Sequence, residues 1–115
     1  MWIVMKIKHD LELYRLKAEI SKTFSDPKRL ILIAELRDGE KTVGELVESS
    51  GFPQAIVSHQ LGILRNSGVV KPRREGNRVY YSLTDIRICQ ACDIVHEVLM
   101  DQLQSNQDLA KRFLK

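Results

Sequence analysis

Apolar side chains return every three or four residues through most of this chain, and the breaks between those stretches fall at glycine, proline and capping residues. Leu13, Leu16, Ile20 and Phe24 mark one face of a helix expected over about residues 9–24. Ser25-Asp26-Pro27 closes that helix and opens the next. Ser25 or Asp26 can accept from first-turn N–H groups, and proline is tolerated there because its missing N–H has no intrahelical partner. The second helix should run from Pro27 to about Arg37 with Leu30, Ile31, Ile33, Ala34 and Leu36 inward, and Asp38-Gly39 ends it. Thr42-Val43-Gly44-Glu45 has the spacing of a capping box, opening a short helix that turns Leu46 and Val47 inward and stops at Ser50-Gly51. A fourth helix, Pro53 to about Asn66, buries Val57, Leu61 and Leu64 and ends at Ser67-Gly68.

Beyond Gly68 the period shortens. Val69-Val70-Lys71 and Val79-Tyr80-Tyr81-Ser82-Leu83 are β-prone runs on either side of a polar turn, Glu75-Gly76-Asn77-Arg78, which is the pattern of a hairpin. Thr84-Asp85 then caps a last long helix reaching about Leu103, with Ile88, Cys92, Val95 and Leu99 on one stripe. Ser105 to Lys115 adds a turn or frays. The expected class is mainly α with a small β-hairpin, about five helices and a two-stranded wing, as one domain over residues 1–115.

The order of these parts carries the functional reading. Two short helices joined at Gly51 (about residues 42–68) are followed at once by a hairpin with a basic tip (69–83), the layout of a winged helix-turn-helix. Such proteins lay the second helix in the major groove, where base edges present distinguishable donor and acceptor patterns. Gln54, Ala55, Ser58, His59 and Gln60 are small or polar without negative charge, and no acidic residue occurs from Gly51 to Gly68. Arg65, Lys71, Arg73, Arg74 and Arg78 follow, opposed only by Glu75. Cations of this kind hold phosphates and make affinity salt-dependent, while base contacts select sequence. Each feature alone is equally the solvated face of any globular domain, as Lys6-Ile7-Lys8 and Lys111-Arg112 are read here; the order and the lengths together favour double-stranded DNA.

Composition agrees without deciding anything. The chain has 115 residues, 43% hydrophobic and 29% charged, with a formal net charge of +3. That is too apolar for a disordered segment and small enough for a second subunit to help complete the core. Two cysteines offer no disulfide framework, which makes a reducing cytoplasm the default. Met1-Trp2-Ile3-Val4-Met5 is too short to span a membrane and lacks a signal peptide's charged start, so it is expected to pack on the body of the protein. A Gly-rich phosphate loop and a Ser/His/Asp set are both lacking, which argues against an enzyme.

Three segments together resemble the ArsR/SmtB family of bacterial and archaeal regulators: Ser25-Asp26-Pro27-Lys28-Arg29-Leu30, Val57 through Gly68, and Arg74 through Leu83. The likeness extends over about Leu11 to Leu103. It implies a homodimeric repressor whose first and last helices (about 9–24 and 85–103) form the interface, operator DNA of imperfect inverted symmetry, and release by an inducer. By position, Gln54, Ala55, Ser58 and His59 fall on the recognition face and Arg78 on the wing; Pro53 stands where the family usually has a capping serine. Thr42 and Gly44 occupy the cysteine positions of an arsenic site. Asp85 and Asp101 match carboxylates of a zinc site whose histidine positions hold Arg87 and Val98. Arginine and valine do not bind zinc, so neither metal site is expected, and no cofactor is required.

Cys89, Cys92 and His96 are the remaining candidate sensor chemistry, spaced three and four apart on one helical stripe. Two readings stand side by side. Cysteine often packs as a small apolar group; alternatively, the thiols answer a thiophilic metal, a metalloid or an oxidant. A Cys89–Cys92 disulfide would distort the helix, because residues three apart hold Cβ atoms about 5–6 Å apart and a disulfide wants about 3.5–4.5 Å. The competing function for the whole chain is a winged-helix module that docks on protein, for which Phe52 and Ile56 supply the visible apolar contribution.

Overall fold

In the computed structural model, which describes residues 10–114, nine elements follow the chain. They are α1 (Leu11–Thr23), α2 (Pro27–Glu35), β1 (Lys41–Thr42), α3 (Val43–Ser50), α4 (Gln54–Asn66), β2 (Val70–Glu75), β3 (Arg78–Leu83), α5 (Arg87–Ser105) and α6 (Gln107–Phe113). The expected packing of Met1 to Met5 lies outside the described residues. The chain forms two compact units that meet in sequence at Thr84/Asp85.

In the first unit the helix starts are chemically specified. Asp10 accepts from the Leu13 N–H (3.1 Å), and Asp26 from those of Lys28 (2.7 Å) and Arg29 (3.3 Å), with Pro27 in the first turn of α2. The capping box is complete: Thr42 Oγ1 accepts from Glu45 N–H at 3.1 Å and Glu45 Oε1 from Thr42 N–H at 2.9 Å. The core gathers Leu32, Ile33 and Leu36 from α2, Leu46 from α3, Val57, Leu61 and Leu64 from α4, and Val69 and Val70 beyond it. Burial of each large apolar side chain contributes roughly 1.5–3 kcal/mol.

The inward face of α2 differs from expectation. Leu32 is wholly buried, whereas Leu30, Ile31 and Ala34 are exposed. Leu30 to Ala34 is apolar throughout, so periodicity cannot choose a face, and packing against α3 and α4 decides it.

The sheet has three antiparallel strands in the order β1-β3-β2, one more than the hairpin expected. Lys41 pairs with Tyr81 and Thr42 with Tyr80, while β2 and β3 register from Val70↔Leu83 to Glu75↔Arg78. Gly76, at φ 62°, supplies the left-handed backbone a two-residue turn needs between strands of natural twist. The Thr84 hydroxyl donates to the carbonyls of Gly68 (2.6 Å) and Val69 (3.2 Å), so it ties off the hairpin instead of capping a helix.

In the second unit α5 begins at Arg87, and Ile86 at its N-cap makes no side-chain cap. Asp85 still accepts from the Arg87 N–H at 2.9 Å. The expected turn after Ser105 is a true helix, α6, capped by Asn106 on the Leu109 N–H at 3.1 Å. No helix among the described residues is long and apolar enough to cross a membrane.

Candidate nucleic-acid interface

The two helices α3 and α4 are joined by Gly51, Phe52 and Pro53. Gly51 ends α3 in the left-handed region (φ 77°), its N–H donating to the Val47 carbonyl, and this lets the chain reverse within three residues. Pro53 is the N-cap of α4 and provides no side-chain cap. First-turn N–H groups of a helix left uncapped in this way are oriented to receive phosphate oxygen.

Along α4 the inner positions Val57, Leu61 and Leu64 fix the helix to the core, and the same periodicity turns Gln54, Ala55, Ser58 and His59 outward, all exposed. Arg65 at the far end is exposed as well. On the wing, Lys71, Arg74 and Arg78 are exposed. Arg78 opens β3 beside the first turn of α3, in a shallow groove lined also by Thr42, Gly44, Glu45 and Glu48. Hydrogen bonds from Thr42 hold the Glu45 carboxyl below its usual range, and the nearby charge of Arg78 adds to the effect.

Two of the candidate contacts have partners within the protein. Gln60 lies on the inner face of α4, 7% exposed, where its Oε1 accepts from Arg29 Nη1 at 3.0 Å. The step from His59 to Gln60 carries the side chain from the outer to the inner face, and the amide is used within the protein. Arg73 is held by Glu40 (3.0 and 2.6 Å) and by Glu75 (2.7 Å), and its guanidinium lies 4.8 Å from the centre of the Tyr80 ring directly across the ladder. Its charge is neutralised locally, and the same bonds draw the Glu40 carboxyl down. Arg73 therefore braces the wing against the loop before β1.

On α5, Cys89 is buried, Cys92 half-buried and His96 exposed. Asp85 is gripped by the Arg87 guanidinium at 2.6–3.1 Å, which pulls its pKa down to about 2. Among the described residues no three His, Cys, Asp or Glu side chains are grouped to hold a metal.

Known proteins are similar to this chain in sequence and fold. The profile of the bacterial regulatory proteins of the arsR family matches residues 26–71, from the start of α2 into β2. A biofilm growth-associated repressor of Xylella fastidiosa is 39% identical over 85 residues, covering 74% of this chain and 75% of that protein. The chain belongs to the ArsR family. The crystal structure of Rv0081 from Mycobacterium tuberculosis superposes with a TM-score of 0.73 at 38% identity, over 81% of this chain and 94% of the other. The homodimeric winged helix-turn-helix DNA-binding domain Mb0332 of Mycobacterium bovis gives a TM-score of 0.72 at 26% identity, over 83% and 88%. Both the helix-turn-helix and the wing of this chain belong to its first unit.

Proposed function

We infer that this ArsR-family protein is a cytoplasmic, sequence-specific transcriptional repressor that binds double-stranded operator DNA as a homodimer and is not an enzyme. The observation that carries this reading is the division of labour along α4. Its apolar side is locked into the core, and its outward side offers Gln54, Ala55, Ser58 and His59 with no carboxylate among them. Arg65, Lys71, Arg74 and Arg78 flank that face as exposed cations. Hydrogen-bonding groups central and cations peripheral is the distribution that separates base reading from phosphate anchoring.

The dimer is supported by apolar surface that each unit leaves uncovered. Leu16 and Ile20 are exposed on α1, and Ile94, Val95, Val98 and Leu99 on α5. Leu103, four residues beyond Leu99, is buried. Release by an inducer is assigned to α5, where Cys92 is accessible in part and a soft metal or metalloid bridging it to Cys89 would have to draw a 2%-exposed side chain out of its packing. Cys89→Ser with Cys92→Ser should bind DNA normally and lose any response to arsenite or zinc. Footprinting on the DNA upstream of its own gene tests the main reading. Two protected half-sites in inverted repeat, about 34–36 Å or one turn apart, are expected; protection without dyad symmetry would count against a homodimer.

A further inference from the structure

We propose that Arg29 and Gln60 form a latch that sets the angle of the recognition helix relative to α1, making both residues determinants of operator discrimination although neither touches DNA. The inference rests on the DNA-binding reading above and deepens it.

Gln60 occupies a position that the periodicity of α4 reserves for an apolar side chain, between Val57, Leu61 and Leu64. An amide there is costly to bury unless bonded. Its partner comes from 31 residues earlier in the chain: Arg29 Nη1 donates to Gln60 Oε1 at 3.0 Å. The rest of the same guanidinium is spent on the end of α1, with Nε donating to the Thr23 carbonyl at 2.8 Å and Nη2 to that of Lys22 at a longer 3.4 Å. These are last-turn carbonyls of α1, where a cation is favoured; that of Lys22 also accepts from the N–H (3.1 Å) and hydroxyl (2.6 Å) of Ser25, so the stronger tie of Arg29 is to Thr23.

One planar, permanently charged group thus joins the C-terminal end of α1 to the inner face of α4. The rest of α1 has little hold on its unit, since Thr23 is its one buried residue. Because α1 carries part of the stripe assigned to the partner subunit, its angle to α4 determines where the two recognition helices of a dimer lie. A leucine at position 60 would satisfy the core and leave that angle to nonspecific packing. The fork of Arg29 and the amide of Gln60 instead accept one geometry.

The test compares Gln60→Leu, Gln60→Glu and Arg29→Lys with wild type. Binding is measured to the footprinted upstream duplex, to copies with one base pair inserted or removed between half-sites, and to a shuffled duplex. Gln60→Leu should fold, since it fills an apolar position, yet lose about tenfold of its preference for the correctly spaced duplex, with shuffled-DNA affinity and salt slope unchanged. Arg29→Lys, which cannot make the forked contact, should show the same loss, and combining the two should add little. Gln60→Glu keeps an acceptor for Arg29 and should retain spacing preference. Gln60→Leu discriminating as well as wild type would overturn the latch. So would relaxed preference at a single base pair in Gln60→Leu alone, which is the signature of direct base contact. Equal losses on all duplexes would reduce the pair to a structural role. A wild-type protein with no preference for the upstream duplex removes the DNA reading itself, and the latch with it.

Discussion

Single side chains on the same helix have different fates here, and the difference is testable one residue at a time. Ser58 and His59 face outward on α4, and each can donate or accept a hydrogen bond. Replacing either with alanine should cost about 1–3 kcal/mol on operator and little on shuffled DNA, measured by fluorescence anisotropy. Arg78 stands exposed on the wing and is assigned to phosphate by the proposed function. Arg78→Ala should weaken both duplexes alike and flatten the dependence of log K on log salt by about one unit. Residue type and helical phase made these positions legible in the sequence. Gln60 and Arg73 are engaged within the protein by Arg29 and Glu40, which lie 31 and 33 residues away along the chain. Local composition signals the second partner of Arg73, Glu75, but neither of these distant ones. The clue available for Gln60 was its phase, three residues after Val57 and four before Leu64.

At the level of elements, the stop and start chemistry was readable because it is local. The Thr42–Glu45 capping box, Asp26 before Pro27, and Gly76 at the hairpin turn each act within a few residues. Thr42→Ala should lower stability by about 1 kcal/mol in denaturant melts through loss of the cap. The Glu45 carboxyl gives the same element a pH signature. Its folded pKa is held below the ordinary 4.5, so its contribution is fully present above pH 4.5 and is lost as pH falls through the lower folded value. A Glu45→Gln variant should therefore differ from wild type at neutral pH and converge with it in acid. Convergence at neutral pH instead would show that the carboxylate charge adds nothing to the cap. The two-residue strand β1 escaped detection because a pair of residues has no period, and its existence depends on β3 lying alongside. The face of α2 was misjudged for the opposite reason, an excess of apolar positions.

At the scale of the whole molecule, the exposed apolar residues of α1 and α5 call for a second copy of the chain. Ile20 and Val95 are 57% and 69% exposed, values more typical of an interface seen without its partner than of scattered surface residues, since each has exposed apolar neighbours one turn away. Sedimentation of wild-type protein at micromolar concentration should give a dimer, and Ile20→Glu with Val95→Glu a folded monomer; a wild-type monomer would remove the basis for paired half-sites. Periodicity marks the apolar stripes of α1 and α5 in outline, but the burial of Leu103 depends on packing that periodicity does not encode. What joins every scale is selective attachment to DNA, and that is best measured as the affinity for the protein's own upstream duplex and for a shuffled duplex across a salt series. The operator duplex should bind at least about a thousandfold more tightly at physiological salt, with both affinities falling steeply as salt rises. Equal affinity for the two duplexes, or binding indifferent to salt, would contradict the assignment of α4 to base reading and of the wing to phosphate.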